Sequence, residues 1–479
     1  MASPGFAFAN PQPSPDNYDE FDPQDVAADS NIPKSETLDV TEAIPPPWKT
    51  PPVMALSDVI GADAAQQIAD SGQIVFHSAG DTGGIKEPSH QFAVADAMAT
   101  DIGTGTYADG RPAFFYHLGD VVYYFGQERY YYDQFYDPYR DYAGPIFAIP
   151  GNHDGVLFDS EPVEFSLAPF YENFCSLEPT NDPAAKGFAR TTMTQPGVYF
   201  TLNAPFLMII GLYSNTGENA GVINDATTGT TQIEYLRSQL AAAAAQRADA
   251  NADPFALVIT VHHPPFTISK SHFPSPEMLA QIDQACSAAN TWPDIVLSGH
   301  AHLYERYTRT MAADGRQIPY VVSGNGGYLN LSDPRKGKNG VNPQPGIPGN
   351  DGKGNELTLD VYNSSTYGFL RLTVNANSIL CESLGVNEST EQTSILDAFT
   401  VDLTQHVVAT QGATQASKTR TGSIIRSKAP RTKLSKVAGT PRAGSPKPAL
   451  SPKPANAPEM QNSPKVRESP KTSKTKKKR

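Results

Sequence analysis

The stretch Ile74-Val75-Phe76-His77-Ser78-Ala79-Gly80-Asp81 joins a β-prone run to a turn that carries a carboxylate. The same pattern, an apolar run followed by a polar side chain, occurs four more times along the chain. The later examples are AFFYHL before Gly119-Asp120, PIFAIP before Gly151-Asn152, ALVITV before His262, and DIVLS before Gly299-His300. Runs of this length and composition predict buried β-strands.

Helical stretches separate these runs. Thr231-Gln232-Ile233-Glu234 matches a capping box and opens the Leu- and Ala-rich segment 235–246. Strand, polar turn and helix therefore alternate, which predicts an α/β layered fold whose polar side chains meet at the carboxyl ends of strands. Further strand candidates follow at 318–324, 367–374 and 378–385. The Gly/Pro/Asn-rich span 332–356 between them predicts a functional rim or a mobile segment.

The polar residues after the runs are carboxylates, an amide and imidazoles. This mixture suits two cations that share one ligand. Asp81 and Asp120 follow neighbouring strand candidates, and a carboxylate can bridge two cations about 3.5–4 Å apart, so we select Asp120 as the bridge. Asn152 offers a neutral amide oxygen. Imidazole nitrogens come from His262, His300 and His302.

Charge is distributed unevenly along the chain. The whole chain carries −13, and the segment from Gln411 onward, with 18 Lys or Arg and two Glu, carries +16, so residues 1–410 carry −29. A body this acidic repels phosphate esters and nucleic acids at long range. Such a substrate needs concentrated local positive charge, which bound metal ions would supply.

The ordered motifs resemble those of the calcineurin-like metallophosphoesterases, and a tyrosine after GD-xx is similar to the purple acid phosphatase branch. The segment 299–306, GHAHLYER, is close to that branch's GHxHxYER, and 324–327 and 367–374 are supporting matches. The resemblance covers roughly residues 72–375. It implies a metallophosphoesterase-type β-sandwich of two mixed sheets flanked by helices, and the composition of the terminal segments adds disordered terminal arms to this expectation.

The resemblance also implies a ligand set. The first metal, typically Fe(III), would be held by Asp81, Asp120, Tyr123 and His302. The second, typically Fe(II), Zn(II) or Mn(II), would be held by Asp120, Asn152, His262 and His300.

Two histidines next to ligands have implied roles outside the ligand set. His153 would bind substrate or donate a proton to the leaving group. His263 would contact phosphate or support a ligand, and a purely structural role is equally open. Tyr124 competes with Tyr123 as the phenolate, and the other tyrosines of the segment 130–139 are interpreted as core or cleft wall.

Three domains are expected from composition: a Pro-rich acidic arm at 1–52, a catalytic metallophosphoesterase domain at 53–410, and a disordered basic Ser/Pro/Lys tail at 411–479. The tail could bind a polyanion or nucleic acid by counterion release. It could equally be a solvated segment or fold back on the acidic body. The arm is too short and irregular for the amino-terminal β-sandwich of plant-type members.

Targeting signals and disulfides are not evident. The amino terminus has no basic start followed by an apolar region, and no run approaches the roughly 18 apolar residues of a membrane span. We therefore expect no membrane span and a cytoplasmic protein. Cys175, Cys286 and Cys381 form neither a disulfide framework nor a CxxC site.

The leading functional hypothesis is an acid-phosphatase-type hydrolase of phosphate monoesters, in which a metal-bound hydroxide attacks phosphorus. A phosphodiesterase or nuclease is the alternative within the same superfamily. A catalytically silent phosphate- or nucleic-acid-binding protein is the alternative from another class.

Overall fold

The five apolar runs quoted above form strands in the computed structural model of the chain. These strands are buried almost throughout, as expected for strands covered on both faces. The structure describes residues 37–38, 44–84, 88–123, 125–155, 157–158, 166–185, 190–214, 220–225, 228–337 and 340–411.

The regular elements follow one another in this order. In chain order the strands are β1 (Thr37–Leu38), β2 (Val53–Ala55), β3 (Gln73–Ala79), β4 (Phe115–His117), β5 (Ile146–Ala148), β6 (Leu157–Phe158), β7 (Phe200–Ala204), β8 (Leu207–Gly211), β9 (Ala256–Thr260), β10 (Ile295–Ser298), β11 (Tyr304–Thr310), β12 (Gln317–Ser323), β13 (Pro348–Asn350), β14 (Glu356–Asn363), β15 (Gly368–Asn375), β16 (Ser378–Asn387), β17 (Gln392–Asp402) and β18 (Val407–Thr410). The α-helices are α1 (Ser57–Ile60), α2 (Ala62–Ser71), α3 (Ser89–Ile102), α4 (Ala168–Phe174), α5 (Thr231–Ala248) and α6 (Pro276–Ala289). Single turns of 3₁₀-helix lie at Tyr107–Asp109, Glu128–Tyr130, His153–Gly155 and Pro183–Ala185, and a π-helix lies at Tyr132–Tyr136.

Two mixed sheets are built from these strands. One sheet has the order β13-β14-β11-β12-β10-β9-β8-β7-β2, and the other has the order β18-β17-β16-β15-β3-β4-β5. Strands β1 and β6 form a separate antiparallel pair. The expected α/β class, with two mixed sheets flanked by helices, is therefore confirmed.

Parallel neighbours in both sheets position the polar turns. Strands β3, β4 and β5 are parallel to one another in one sheet, and β8, β9, β10 and β12 are parallel to one another in the other. The carboxyl ends of parallel neighbours lie at one edge of a sheet. The turns after β3, β4 and β5 are therefore neighbours, and so are the turns after β9 and β10.

Helix α5 shows where local sequence rules hold and where they fail. It begins at Thr231, as predicted, and buries Ile233, Leu236 and Leu240. The expected capping box is wrong, because Thr230 is the N-cap residue and makes no side-chain capping hydrogen bond. Burial of the apolar face holds the helix without the cap.

The span 332–356 is not a loop throughout, because it contains β13, which pairs with β14, and β14 begins at the last residue of the span. The three cysteines are buried and free. Within the described ranges, none of the helices has the length and apolar character to cross a membrane. Most of the predicted arm at 1–52, and the predicted tail after Gln411, lie outside the described residues, so the three domain boundaries stay predictions.

Candidate metal centre

Backbone hydrogen bonds tie the polar turns together. The amide of Asp81 donates to the carbonyl of Gly119 at 3.0 Å, and the amide of Thr82 donates to the carbonyl of Asp120 at 3.2 Å. Within the other sheet, the amide of Gly299 donates to the carbonyl of His262 at 2.9 Å, and between the sheets the amide of Gly80 donates to the carbonyl of Ser323 at 2.9 Å. The side chains that follow the strands are thus held in one cluster.

Three of the predicted ligands have a left-handed backbone conformation. Asp81 has φ 57°, Asp120 has φ 54° and His300 has φ 65°. Each of them follows a glycine in the sequence. L-residues rarely adopt this conformation, and strain of this kind concentrates at functional sites, where the surrounding structure holds it in place.

Gly119 shows why the turn before Asp120 needs a glycine. It has φ +96°, and a Cβ at this position would lie 2.7 Å from the backbone nitrogen of Gly151 and 2.6 Å from Nδ1 of His262. Any other residue would push these two turns apart. The close approach brings Asp120 to the turn that carries Asn152.

The four predicted ligands of the first metal form one contact group. The hydroxyl of Tyr123 lies 3.1 Å from Oδ1 of Asp81, 2.8 Å from Oδ2 of Asp120, and 3.3 Å from Nε2 of His302. Nε2 of His302 lies 3.5 Å from Oδ1 of Asp81. All four side chains are buried.

The predicted ligands of the second metal form an adjoining group. Oδ1 of Asn152 lies 3.1 Å from Nε2 of His262 and 2.9 Å from Nδ1 of His300. Oδ2 of Asp120 lies 3.3 Å from Nε2 of His262. Ligand atoms of Asp120, His262 and His300 all lie within 4.8 Å of one another. Asp120 is therefore a member of both groups.

Hydrogen bonds outside the two groups orient the donors. Nδ1 of His262 lies 2.8 Å from the carbonyl oxygen of Leu118, an arrangement that directs Nε2 toward Asn152 and Asp120. The amide of His300 donates to Oδ2 of Asp81 at 2.7 Å, and the amide of His153 donates to Oδ1 of Asp120 at 2.9 Å. One oxygen of each carboxylate is thus fixed, and the other faces the donor group.

Asp154 joins the two turns that carry Asp120 and Asn152. Its Oδ1 accepts hydrogen bonds from the amides of Val121 at 2.9 Å and Val122 at 3.2 Å, and its Oδ2 accepts one from Gly151 at 2.8 Å. Burial raises the pKa of Asp154 to about 7, and the charge of Asp120 adds to this effect. Its hydrogen bonds hold the turn that carries Asp120 against the turn that carries Asn152.

The pKa values of the donors show that the buried carboxylates of the cluster draw in positive charge. Burial raises the pKa of Asp81 to about 7. Burial also opposes protonation of His262, but the nearby Asp120 carboxylate outweighs it and raises the pKa of His262 to about 9. Burial alone would raise the pKa of Asp120, yet His262 and His153 hold it well below the usual range. The cluster therefore attracts positive charge.

The donor chemistry fits metal ions. Metal–donor bonds of about 2.0–2.2 Å place neighbouring donor atoms roughly 3 Å apart. The contacts of Tyr123 and Asn152 described above range from 2.8 to 3.3 Å. Oxygen and imidazole donors of this kind suit iron, zinc and manganese.

The predicted substrate residues lie next to the donors. The ring of His153 lies 4.4 Å from the ring of Tyr123, between centroids, and His153 is partly exposed. The ring of His263 lies 4.2 Å from that of His300 and is buried. Nδ1 of His263 lies 3.0 Å from Oγ of Ser214. His153 thus borders the cluster on the side of Tyr123, and His263 borders it on the side of His300.

Two residues at the cluster were missed by sequence reasoning. The ring of His272 lies 4.6 Å from that of His300 and 4.8 Å from that of His302. The ring of Tyr328 lies 4.3 Å from that of Tyr123 and 4.2 Å from that of His302. His272 belongs to none of the motifs. The only signal for Tyr328 is its position directly after the Gly-rich 324–327 segment.

The tyrosine-rich segment 130–139 does more than fill the core. Its π-helix carries Gln134, whose Oε1 accepts a hydrogen bond from the amide of Tyr123 at 2.8 Å and whose Nε2 donates to the carbonyl of Tyr123 at 2.6 Å. Gln134 thereby fixes the backbone of Tyr123. The competing Tyr124 lies outside the described residues.

Comparison with known proteins gives one family match. The sequence model of the family described as calcineurin-like phosphoesterase matches residues 52–304, more than half of the chain. No curated protein matches the chain.

Solved structures give several matches at low identity. The chain is similar to GAP50, the anchor in the inner membrane complex of Plasmodium, with 14% identity, a TM-score of 0.44, and coverage of 68% of this chain and 87% of that one. It is similar to PhoD with 14% identity, a TM-score of 0.45, and coverage of 72% and 73%. It is also similar to a putative 5'-nucleotidase from Staphylococcus aureus, with 13% identity, a TM-score of 0.31, and coverage of 69% of this chain and 54% of that one.

Proposed function

The chain belongs to the calcineurin-like phosphoesterase family, and from this premise we propose that it is an acid-phosphatase-type hydrolase of phosphate monoesters. The family is one of metal-dependent phosphoester hydrolases. The observation that carries the finer proposal is the position of Asp120, whose Oδ2 lies within 3.3 Å of both the Tyr123 hydroxyl and Nε2 of His262. A carboxylate in this position can serve two cations at once.

The proposed centre holds two metal ions, with the ligands divided between the two contact groups. One ion would be held by Asp81, Asp120, Tyr123 and His302, and the other by Asp120, Asn152, His262 and His300. Tyr123 supports Fe(III) at the first position and the purple acid phosphatase branch, because a phenolate is a hard anionic donor. Fe(II), Zn(II) or Mn(II) would suit the second position. Bound cations would supply Lewis acidity that acidifies water and neutralises phosphoryl charge.

Histidines around the two groups would act on the substrate directly. His153, which is partly exposed beside Tyr123, would donate a proton to the leaving-group oxygen. His272, whose ring faces His300 and His302, would donate a hydrogen bond to a phosphoryl oxygen. His263 is oriented by Ser214 and would support His300 or contact phosphate.

Two alternatives are weaker. A phosphodiesterase or nuclease is favoured by the basic tail, but the hydroxyl of Tyr123 beside Asp81 and Asp120 favours the phosphatase branch. A catalytically silent binding protein would need no complete donor set. Buried donors at contact distance support turnover instead.

Leaving-group chemistry tests the proposal. The purified protein should hydrolyse phenyl phosphate faster than diphenyl phosphate at acidic pH, and a faster diester reaction would overturn the monoester assignment.

His153→Gln should lower kcat for an alkyl phosphate by about 100-fold and for p-nitrophenyl phosphate much less, because only the poorer leaving group needs the proton. Equal losses for both esters would remove the proton-donor role of His153.

A further inference from the structure

We propose that the substrates are nucleoside diphosphates or triphosphates, hydrolysed at the terminal phosphoryl group, with the base stacked on Phe273 and an inner phosphate bound by a basic rim. The basic rim consists of Lys270, Arg335 and Lys336. This inference rests on the proposed function and extends it from phosphate monoesters to the terminal phosphoanhydride bond of nucleotides. It is carried by two loops beside the donor groups.

The two loops are paired with each other. The amide of Lys270 donates to the carbonyl of Asp333 at 2.9 Å, and the amide of Arg335 donates to the carbonyl of Ile268 at 2.6 Å. Ser269 and Pro334 form an antiparallel bridge between these contacts. The cationic residues of the basic rim therefore have a defined backbone position.

The same loops are attached to the candidate metal centre. The amide of Ser332 donates to the carbonyl of His302 at 2.7 Å. From the other loop, the ring of His272 lies 4.8 Å from that of His302. Lys270 is two residues before His272 and Arg335 is three residues after Ser332, so the backbone of the basic rim lies close to these contacts with the cluster.

Phe273 provides an exposed aromatic surface beside His272 and Arg335. It directly follows His272, so the two Cα atoms are about 3.8 Å apart. Its side chain is 60% exposed, and it is the one phenylalanine among the exposed large hydrophobic residues of the described chain. The guanidinium carbon of Arg335 lies 5.2 Å from its ring centroid. Flat rings stack on exposed aromatic surfaces, and nucleobases do so without strong base preference.

The charge of the basic rim is opposite to that of its surroundings. Lys270, Arg335 and Lys336 are exposed, and segments 267–275 and 332–337 contain one carboxylate, Asp333. The body of the chain, residues 1–410, carries −29. A local cationic group beside a phosphoryl site in an acidic body selects ligands with a further phosphate.

Hydrogen bonds to the backbone fix the position of the Arg335 guanidinium, which can still contact a phosphate. Its Nε and Nη2 donate to the carbonyl oxygen of Ser269 at 3.4 and 3.1 Å. A guanidinium has five N–H donors in a fixed plane, so an anchored arginine can still present donors to a phosphate. Oγ of Ser269 in turn lies 3.4 Å from Nδ1 of His272, which connects the basic rim to the cluster.

A nucleotide combines the two features that the loops offer. The reaction adds the oxygen of water to the terminal phosphorus and breaks the bond from this phosphorus to the bridging oxygen. The bridging oxygen keeps the electron pair and receives a proton or stays ionised. The products are inorganic phosphate and a nucleotide with one phosphate fewer.

Three substrates separate the contributions when used with the full-length, metal-loaded protein. ADP has a base and a second phosphate, pyrophosphate has a second phosphate without a base, and phenyl phosphate has a ring without a second phosphate. Wild type should have kcat/KM for ADP at least about tenfold above that for phenyl phosphate, as one charged hydrogen bond provides.

Variants assign the effect to residues. Arg335→Gln combined with Lys336→Gln should lower kcat/KM about tenfold more for ADP and pyrophosphate than for phenyl phosphate. Phe273→Ala should lower it about tenfold more for ADP than for pyrophosphate. Lys49→Gln combined with Lys353→Gln, which also removes two positive charges but at exposed lysines outside the two loops, is the charge-matched control and should leave the ADP to phenyl phosphate ratio at the wild-type value.

The outcomes distinguish this inference from the proposed function. If the variants of the basic rim and of Phe273 keep the wild-type kcat/KM ratios among ADP, pyrophosphate and phenyl phosphate, the nucleotide assignment is overturned. The phosphatase proposal then still stands, provided that phenyl phosphate is hydrolysed. If wild type hydrolyses none of the three substrates, both the phosphatase proposal and this inference are overturned.

Discussion

The hydroxyl of Tyr123 donates a hydrogen bond to Oδ2 of Asp120 at 2.8 Å, three residues earlier in the chain. The same oxygen lies 3.3 Å from Nε2 of His262, which comes from the other sheet. One carboxylate atom thus contacts the donor groups of both sheets. The proposed bridging role of Asp120 is based on this geometry, and the proposed roles of its neighbours depend on that bridge.

Replacement of Tyr123 tests the first metal position. Tyr123→Phe removes the phenol oxygen but keeps the ring that packs against His153 and Tyr328. If Fe(III) binds there, the visible absorption band of the phenolate–iron pair should disappear, and turnover should fall. The absorption spectrum of the purified protein measures this effect.

Tyr328→Phe is the matched control, because Tyr328 packs on Tyr123 without belonging to the proposed ligand set. This variant should keep the visible band. A band that survives in Tyr123→Phe, or one lost in Tyr328→Phe alone, would contradict the assignment of the phenolate to Tyr123.

Gln134→Ala tests whether the π-helix positions Tyr123. The substitution leaves the buried amide of Tyr123 without its acceptor, at a cost of about 1–3 kcal/mol in the free energy of unfolding. The visible band should shift or weaken, since the phenolate is no longer fixed. Denaturant unfolding and the spectrum measure the two effects.

Gln127→Ala provides the comparison for Gln134. The amide of Gln127 is also buried, but neither its nitrogen nor its oxygen has a hydrogen-bond partner in the described part of the chain. This variant should leave the band in place. Equal spectral changes in both variants would show that Gln134 has no specific influence on Tyr123.

Asp101 should make the free energy of unfolding depend on pH. It accepts hydrogen bonds from Nε2 of His77 at 2.8 Å and from Nε of Arg371 at 2.9 Å. Burial alone would raise the pKa of Asp101, but His77 and Arg371 outweigh burial and lower it to about 2. The usual value is 3.8, so the carboxylate stabilises the fold by about 2 kcal/mol above pH 4.

This stabilisation is lost as the pH falls from about 4 to about 2, because the folded protein then takes up the proton that the unfolded chain already holds. The difference in free energy of unfolding between wild type and Asp101→Asn should therefore shrink over that interval. Urea titrations at several pH values measure it. A constant difference from pH 7 to pH 2 would contradict the lowered pKa.

Deletion of residues 412–479 tests the predicted tail. The segment from Gln411 carries +16, so its removal should reduce binding to heparin or single-stranded DNA, most clearly at about 50 mM salt and less at about 200 mM. Hydrolysis of phenyl phosphate should stay at the wild-type rate. Unchanged polyanion binding in the truncated protein would exclude a polyanion role for the tail.

The strands and turns were predictable from the sequence because their signals are local. An apolar run followed by a Gly and a polar residue needs no knowledge of distant contacts, and this pattern located Asp81, Asp120 and His300. The parallel arrangement of strands then explains why the turns meet. The motif resemblance added the division of ligands, which geometry alone did not provide.

The residues that sequence reasoning missed depend on tertiary contacts. His272 lies at the cluster in a loop that pairs with the loop at 332–336, which is remote in sequence. Gln134 acts on Tyr123 through a π-helix whose sequence reads as an aromatic core segment. Propensity and periodicity do not encode such contacts. The capping box at Thr231 failed for the related reason that packing, and not a cap, stabilises α5.

Metal content per chain, measured by elemental analysis of wild type and Asp120→Asn, tests the bridging role most directly. Folded wild-type protein should contain about two metal ions per chain and hydrolyse phenyl phosphate. The folded Asp120→Asn variant should lose most of both ions together, and its turnover should fall to background. An Asp120→Asn protein that keeps both ions and full activity would contradict the account.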